Sequence, residues 1–300
     1  MKLFFAIALC CLPFVPLCGQ TSRALVVAVG DYPAGSGWNA IHAENDLRLV
    51  VPMLGREGFR ATNVVCLSGA DATKAAIVGE LERLGRKTKA GDCIYIHFSC
   101  HGQLMADDDG DEPDGYDEAL IPYDAPRRYS KGVYEGARHL CDDELRLYLD
   151  DIRRKAGPAG NVVAVFDACH SGSADRDGND DEYVRGTTYV FAPEGYDPPE
   201  IDPDKVVWRM STGPELAPLT VLSACRPDEL NYEYKAPDGN YYGMLTYALC
   251  AEPEPRAEIT VAGFFGLLKA RVARLSEGRR RKQTPDLQTT HEDKTFGIGR

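Results

Sequence analysis

Short runs of apolar residues, rich in β-branched types, recur along the chain. Residues 24–30, 63–67, 93–98, 162–166 and 219–225 read as strands covered on both faces, the signature of a mainly parallel sheet. Between them the apolar positions fall three and four apart. In 41–56, Leu47, Val50, Val51 and Leu54 share a face, and Pro52 is expected to kink or divide that helix. A second helix opens at Asp71–Lys74 and runs to about Lys87, with Ile77, Leu81 and Leu84 as its stripe. A third opens at Cys141, takes Asp142 and Asp143 as cap and first-turn acids, and buries Leu145, Leu149 and Ile152 before a Gly157–Gly160 stop. Thr260 to about Ser276 is a last amphipathic helix. Strands alternating with helices predict an α/β fold with a parallel sheet between helical layers. Residues 173–218 are polar and rich in Pro, Gly and Asp, an insertion or mobile loop.

Length and composition narrow this picture. Three hundred residues with 44% apolar content suit one α/β domain with an insertion. A net charge of −12 argues against a nucleic-acid partner and for basic ones. The basic run Arg279–Lys282 therefore reads as a solvated helix end. Residues 1–20 read as a signal peptide ahead of a domain at 21–300: Lys2 precedes an apolar run too short to span a membrane and remain there. An exported protein is expected, periplasmic or extracellular. Lipid anchoring through Cys18 is a weaker alternative because Leu17 is bulky, and an uncleaved hydrophobic N-terminus is another. No transmembrane span is expected after the signal. Of ten cysteines three lie in the leader, and seven is an odd number, so at least one thiol stays unpaired. Cys66, Cys93 and Cys225 sit in strand-like runs and read as small core residues.

The chemistry gathers at two strand ends. One strand runs into Ser99-Cys100-His101-Gly102, another into Asp167-Ala168-Cys169-His170-Ser171-Gly172. Open α/β sheets bind ligands beyond the carboxyl ends of their strands. A thiol and an imidazole delivered there are the minimum for a cysteine nucleophile, since the thiolate is the reactive form. His170 adjoins Cys169 but points to the opposite face, which also argues against a zinc site built from the two Cys-His pairs. His97 reads as a core or supporting histidine. The loop from Gly30 to Gly37 lacks dinucleotide-fingerprint spacing. The acidic stretch 107–118 fails EF-hand spacing and reads by itself as a solvated loop. Asp46, taken alone, is a helix-start acid favoured by the helix dipole.

The two blocks, in this order and each following a strand, resemble the caspase-like cysteine peptidases and most closely their metacaspase branch. Asp167 separates the chain from animal caspases, which carry Gln-Ala-Cys there. The resemblance implies a caspase-like three-layer sandwich with a mostly parallel central sheet. It implies a cysteine endopeptidase with His101 and Cys169 as catalytic pair and an oxyanion hole from the N–H groups of Gly102 and Cys169. It also implies a pocket of Asp46, Ser99 and Asp167 for Arg or Lys before the scissile bond, and hence peptide or protein substrates with basic residues. Asn45-Asp46 matches the family's Asn-Asp pair, although Ala43 stands where many members have cysteine. The segment 219–229 resembles a block of bacterial caspase-like proteins, and 242–249 fits the helix that follows it. No cofactor is required. Some metacaspases are activated by calcium, and their ligands map to Asp117, Asp142, Asp143 and, less securely, Asp175. In related enzymes maturation cuts fall beyond the cysteine, making Arg176, Arg185, Lys205 and Arg209 candidate self-cleavage points beside an uncut surface loop. A non-catalytic binding or scaffold domain, or a thiol transferase or ligase on the same fold, remain the alternatives.

Overall fold

Alternation within single strands sets the layering. In β1 (Ser22–Ala28), Ala24 and Val26 face one way and Leu25 and Val27 the other, and all are buried. The computed structural model describes residues 20–107, 110, 112, 115–169, 183–198, 210–227, 229–250, 259–278 and 282–299. Residues 1–19, His170, Asp175, Arg176, Lys205 and Arg209 lie outside these residues, as do the expectations placed on them.

In chain order, β1 is followed by α1 (Leu47–Arg56), β2 (Val64–Ser68), α2 (Lys74–Lys87), β3 (Cys93–Ser99), β4 (Gly102–Ala106), β5 (Tyr116–Leu120) and β6 (Leu140–Cys141). Then come α3 (Asp142–Ala156), β7 (Asn161–Asp167), β8 (Leu219–Ser223), β9 (Glu233–Lys235), β10 (Tyr241–Gly243), α4 (Met244–Cys250), α5 (Val261–Leu275) and β11 (Asp286–Thr289). Six strands form the central sheet in the order β11-β8-β7-β3-β1-β2, and β11 alone runs antiparallel. On one face Val26, Tyr95, Val165 and Leu222 meet α1, α4 and α5 through Leu54, Leu249 and Leu268. On the other, Val27, Ile96, Ala164 and Val221 meet α2 and α3 through Ile77, Leu81, Leu149 and Ile152. Each fully buried aliphatic side chain of this kind stabilises the fold by about 1.5–3 kcal/mol. The result is the expected three-layer α/β sandwich. Among the described residues no helix is long and apolar enough to cross a membrane.

Four local expectations are corrected. Pro52 does not divide a helix: α1 runs through it, and the break comes earlier, at a 3-10 turn over Ala43–Asp46. Val51 is 39% exposed, with Met53 buried in its stead. Cys66 is exposed rather than core, because β2 is the sheet's edge and pairs only with β1. The acidic stretch is in part a hairpin, for β4 and β5 pair antiparallel on either side of it, with β6 added. β3 and β7 are neighbours in register, Ser99 opposite Asp167, so the chain leaves both strands at one edge. Chain direction in the sheet order reverses around β1 and β3, the crevice where such folds bind ligands.

Candidate active site

Tyr95, His97 and Ser99 alternate onto one face of β3 and form a buried relay. The Tyr95 hydroxyl meets His97 Nδ1 at 2.9 Å, His97 Nε2 meets Ser99 Oγ at 3.0 Å, and Ser99 Oγ donates to Asp46 Oδ2 at 2.6 Å. Burial, against a smaller pull from Asp167, pushes His97 down to about 4, so it is a neutral linker and not a base. Asp46 accepts from the Gly243 N–H at 2.9 Å. Asp167, at the end of β7, accepts from Asn231 Nδ2 at 2.7 Å and from the N–H and hydroxyl of Thr246 at 2.8 and 2.6 Å. The structure thus brings Asp46, Ser99 and Asp167 together, and it adds a third carboxylate, Glu233. His42 holds Glu233 from outside, its Nδ1 at 2.6 Å from Oε2.

This acidic recess is filled by the chain's own Arg185. Its Nη1 donates to Asp46 Oδ2 at 2.6 Å and lies 3.6 Å from Asp167 Oδ1, while Nε and Nη2 donate to Glu233 Oε1 at 3.1 and 3.0 Å. The guanidinium is fully buried. Burial alone would lower its pKa, but the charges of Asp46, Asp167 and Glu233 outweigh that and raise it well above the ordinary value. For Asp46 the balance tips the other way: burial raises its pKa more than Arg185 lowers it.

Backbone geometry carries the same segment past the sulfur. The Arg185 N–H donates to Asn231 O at 2.9 Å, the Glu233 N–H to Tyr183 O at 2.9 Å, and Val184 bridges Tyr232 antiparallel. Residues 183–185 therefore lie as an added strand. The Arg185 carbonyl oxygen receives the Cys169 N–H at 2.9 Å and the Gly102 N–H at 3.3 Å. Two converging backbone donors on one carbonyl are what an oxyanion hole requires.

His101, the residue before the Gly102 donor, is buried. Trp38 stacks on its ring at 4.8 Å, Tyr32 lies tilted at 5.4 Å, and its Nε2 meets Asn39 O at 2.9 Å. The glycine-rich loop after β1 therefore cups the histidine. Because Asn39 O can only accept, Nε2 carries the proton, which leaves the Nδ1 lone pair free. Nδ1 has no hydrogen-bond partner among the described residues. Burial, aided by Arg185, pushes the imidazole down to about 4 against the pull of Asn39 O. The Cys169 thiol is buried and donates to Glu229 O at 3.0 Å, a carbonyl that the Cys225 thiol also approaches at 3.4 Å. The hydrogen bond with Cys169, then burial, raise the Cys225 thiol well above its ordinary range. Burial pushes Cys100 up to about 12, so it is no rival nucleophile.

The acids assigned to calcium do not form a preassembled cage. Asp142 accepts the Glu118 N–H at 3.3 Å, and burial together with Glu118 and Asp143 raises it to about 7. Asp143 is engaged by Arg146 at 3.2 Å. Asp117 is buried on β5, and Asp175 lies outside the described residues. Among the described residues no three acids, histidines or cysteines converge as metal ligands.

The sequence of the caspase-domain family matches residues 21–296. The chain belongs to that family. The family is one of cysteine peptidases, and the curated relatives that the chain matches are metacaspases. The chain is 34% identical over 125 residues to metacaspase-1B of Aspergillus oryzae, covering 40% of this chain and 27% of that one. It is 38% identical over 165 residues to metacaspase-1A of Aspergillus clavatus, covering 52% and 35%. The caspase-like chain thus spans about a third or less of these relatives' length. Its fold matches caspase-1 of Spodoptera frugiperda with a TM-score of 0.54 at 12% identity, over 90% of this chain and 86% of that one. A Geobacter sulfurreducens protein of solved structure matches with a TM-score of 0.60 at 19% identity, over 90% and 93%.

Several residues of the site had not been singled out from the sequence: Glu233, Asn231, Thr246, Gly243, Trp38 and Asn39. One signal was available. Asn231 and Glu233 are two apart in an alternating stretch, so they share a face. Gly243 is required sterically, since a Cβ there would collide with the Asp167 carboxylate and the Arg185 guanidinium.

Proposed function

We propose that this chain is a cysteine endopeptidase that cuts after arginine, with Cys169 as nucleophile and His101 as acid–base. The observation that carries the reading is Arg185: one residue puts its guanidinium among three carboxylates and its carbonyl oxygen on two backbone donors. Arginine is favoured over lysine because Glu233 takes two guanidinium nitrogens while Asp46 takes a third. An ammonium is a single point and cannot span both.

In the reaction the Cys169 thiol gives its proton to His101 Nδ1, and the sulfur leaves Glu229 to attack the carbonyl carbon of the bound arginine. Negative charge grows on the carbonyl oxygen, where the N–H groups of Gly102 and Cys169 already point. Losing one such donor typically costs about 10²–10³ in rate. His101 then delivers its proton to the leaving amine, and water hydrolyses the thioester. Asn39 O and Trp38 fix the imidazole so that the same nitrogen serves both transfers.

The test uses quenched-fluorescence peptides differing only in the residue before a glycine: Arg, Lys, Asp or Asn, each with and without calcium. Cleavage after Arg above Lys, absent in Cys169→Ala, is expected. Preference for Asp would remove the acidic-pocket argument. No turnover of any peptide would favour the non-catalytic scaffold, and aminolysis of the thioester exceeding hydrolysis would favour a transferase.

A further inference from the structure

The residues ahead of Arg185 show what else the cleft grips. Residues 183–185 lie antiparallel to 231–233: the Glu233 N–H donates to Tyr183 O, the Arg185 N–H donates to Asn231 O, and Val184 bridges Tyr232. Side chains of an extended segment alternate, so Tyr183 and Arg185 point to one side and Val184 to the other. Val184 packs against the core cluster that includes Tyr232. The Tyr183 ring stands edge-on to His42, 4.4 Å between centroids and 88° between planes, and to Tyr241 at 4.9 Å and 70°. His42 and Tyr241 stack on each other at 4.9 Å and 22°. Edge-to-face contact at such spacings is a favoured arrangement of aromatic rings. Both rings are anchored from elsewhere in the fold. His42 donates its backbone N–H to Glu233 Oε1 at 2.8 Å and sets Nδ1 2.6 Å from Oε2, while Tyr241 O accepts from Asn45 Nδ2 at 3.0 Å. A peptide that takes the place of this segment therefore meets the same two rings. Glu233 also holds the guanidinium, so one histidine joins the arginine recess to the aromatic platform. The Lys235 ammonium stands 5.4 Å from the Tyr241 ring centroid, so a cationic side chain arriving there meets a like charge. Tyr183 stays 37% exposed, so the platform is open on one side and accepts rings of different size.

We propose that His42 and Tyr241 form a second specificity site, which takes an aromatic side chain two residues before the arginine, so that the enzyme's substrates are extended segments of the form aromatic–aliphatic–arginine. The inference rests on the peptidase reading above and adds two residues to the substrate. Backbone pairing along 231–233 holds any extended chain, and the two rings select among them. A contact two residues from the scissile bond does not change as that bond breaks. It therefore strengthens the bound substrate and the transition state alike, and is read in KM with kcat unaltered.

The experiment measures kcat and KM of the full chain on quenched-fluorescence peptides X-Val-Arg-Gly, in which X is Tyr, Phe, Ala, Arg or Asp. Tyr and Phe are expected to exceed Ala by about tenfold in kcat/KM, carried by KM, with Arg and Asp no better than Ala. Tyr241→Ala should erase that advantage and Tyr241→Phe should keep it, whereas damage to the fold would lower all the peptides together. Residues 183–185 occupy the cleft and must give way first, so the same ratio is read without turnover, from the rates at which Tyr-Val-Arg and Ala-Val-Arg chloromethyl ketones alkylate Cys169. Equal rates for Tyr, Phe and Ala, a preference for Arg or Asp at X, or an advantage that survives in Tyr241→Ala would overturn the inference and leave the peptidase reading standing. Cleavage of none of the peptides, with Cys169 alkylated by neither ketone, would sink both.

Discussion

At the scale of single residues, the site is a balance of buried charge. Three carboxylates around one guanidinium are tolerable only while the guanidinium is present, and removing one member of such a set costs about 3–5 kcal/mol. Arg185→Gln is therefore expected to lose about that much stability at pH 7.5 by urea denaturation. The loss should shrink by pH 5.5. Asp46 is already raised by burial, with Arg185 opposing, and without the guanidinium it binds a proton still more readily in the native than in the unfolded state. A raised native pKa makes stability fall as pH rises, so acid favours the variant. A deficit as large at pH 5.5 as at 7.5 would contradict this. His101 gives the opposite kind of prediction. Held near 4, it stays proton-free well below neutrality, so cleavage of an arginyl peptide should proceed at an unchanged rate from pH 7.5 to 5.5. An imidazole at its ordinary 6.5 would be about nine-tenths protonated at the lower value, and a roughly tenfold loss there would contradict the burial account. The residues next to the strand ends were legible in the sequence because their motifs are contiguous. Glu233 was not, because it reaches Arg185 across 48 positions, and nothing local marks an acid for a distant pocket.

At the scale of elements, strands were legible through uninterrupted apolar runs and helices through their stripes, while ends and edges were not. Cys66 looks like core because an edge strand and a central one share a composition, and only pairing order distinguishes them. The opening of α2 shows the same limit. Asp71 was read as part of it, but the cap is Thr73, whose hydroxyl accepts the Ala76 N–H at 3.3 Å. Thr73→Ala is expected to cost about 1 kcal/mol in urea denaturation with peptide cleavage unchanged, since α2 lies on the face of the sheet away from the acidic recess. A change in cleavage rate without a change in stability would contradict that separation.

At the scale of the whole molecule, the strands that lead into His101 and Cys169 are held by strands from the last third of the chain. β7, which bears Cys169, pairs in parallel with β8, and β11 pairs with β8 in turn. The core between sheet and helices likewise draws on both halves: Leu54 and Val165 pack with Leu249 and Leu268. A chain cut once between β7 and β8 is expected to keep its elution volume in size-exclusion chromatography and to separate into two pieces only in denaturant; separation in native buffer would contradict the shared core. The layered architecture was foreseeable because alternating strands and helices admit few arrangements. The return of residues 183–198 across the site was not, because that stretch has no periodicity and its partners, β4 and the run into β9, lie far away in the chain. The central claim is that Cys169, His101 and the acidic recess form one peptidase site for arginine, and the most direct test is to map cleavages in a denatured protein mixture. Cuts after arginine with the wild type, and none with Cys169→Ala, are predicted; cuts after aspartate, or cuts that persist in Cys169→Ala, would contradict it.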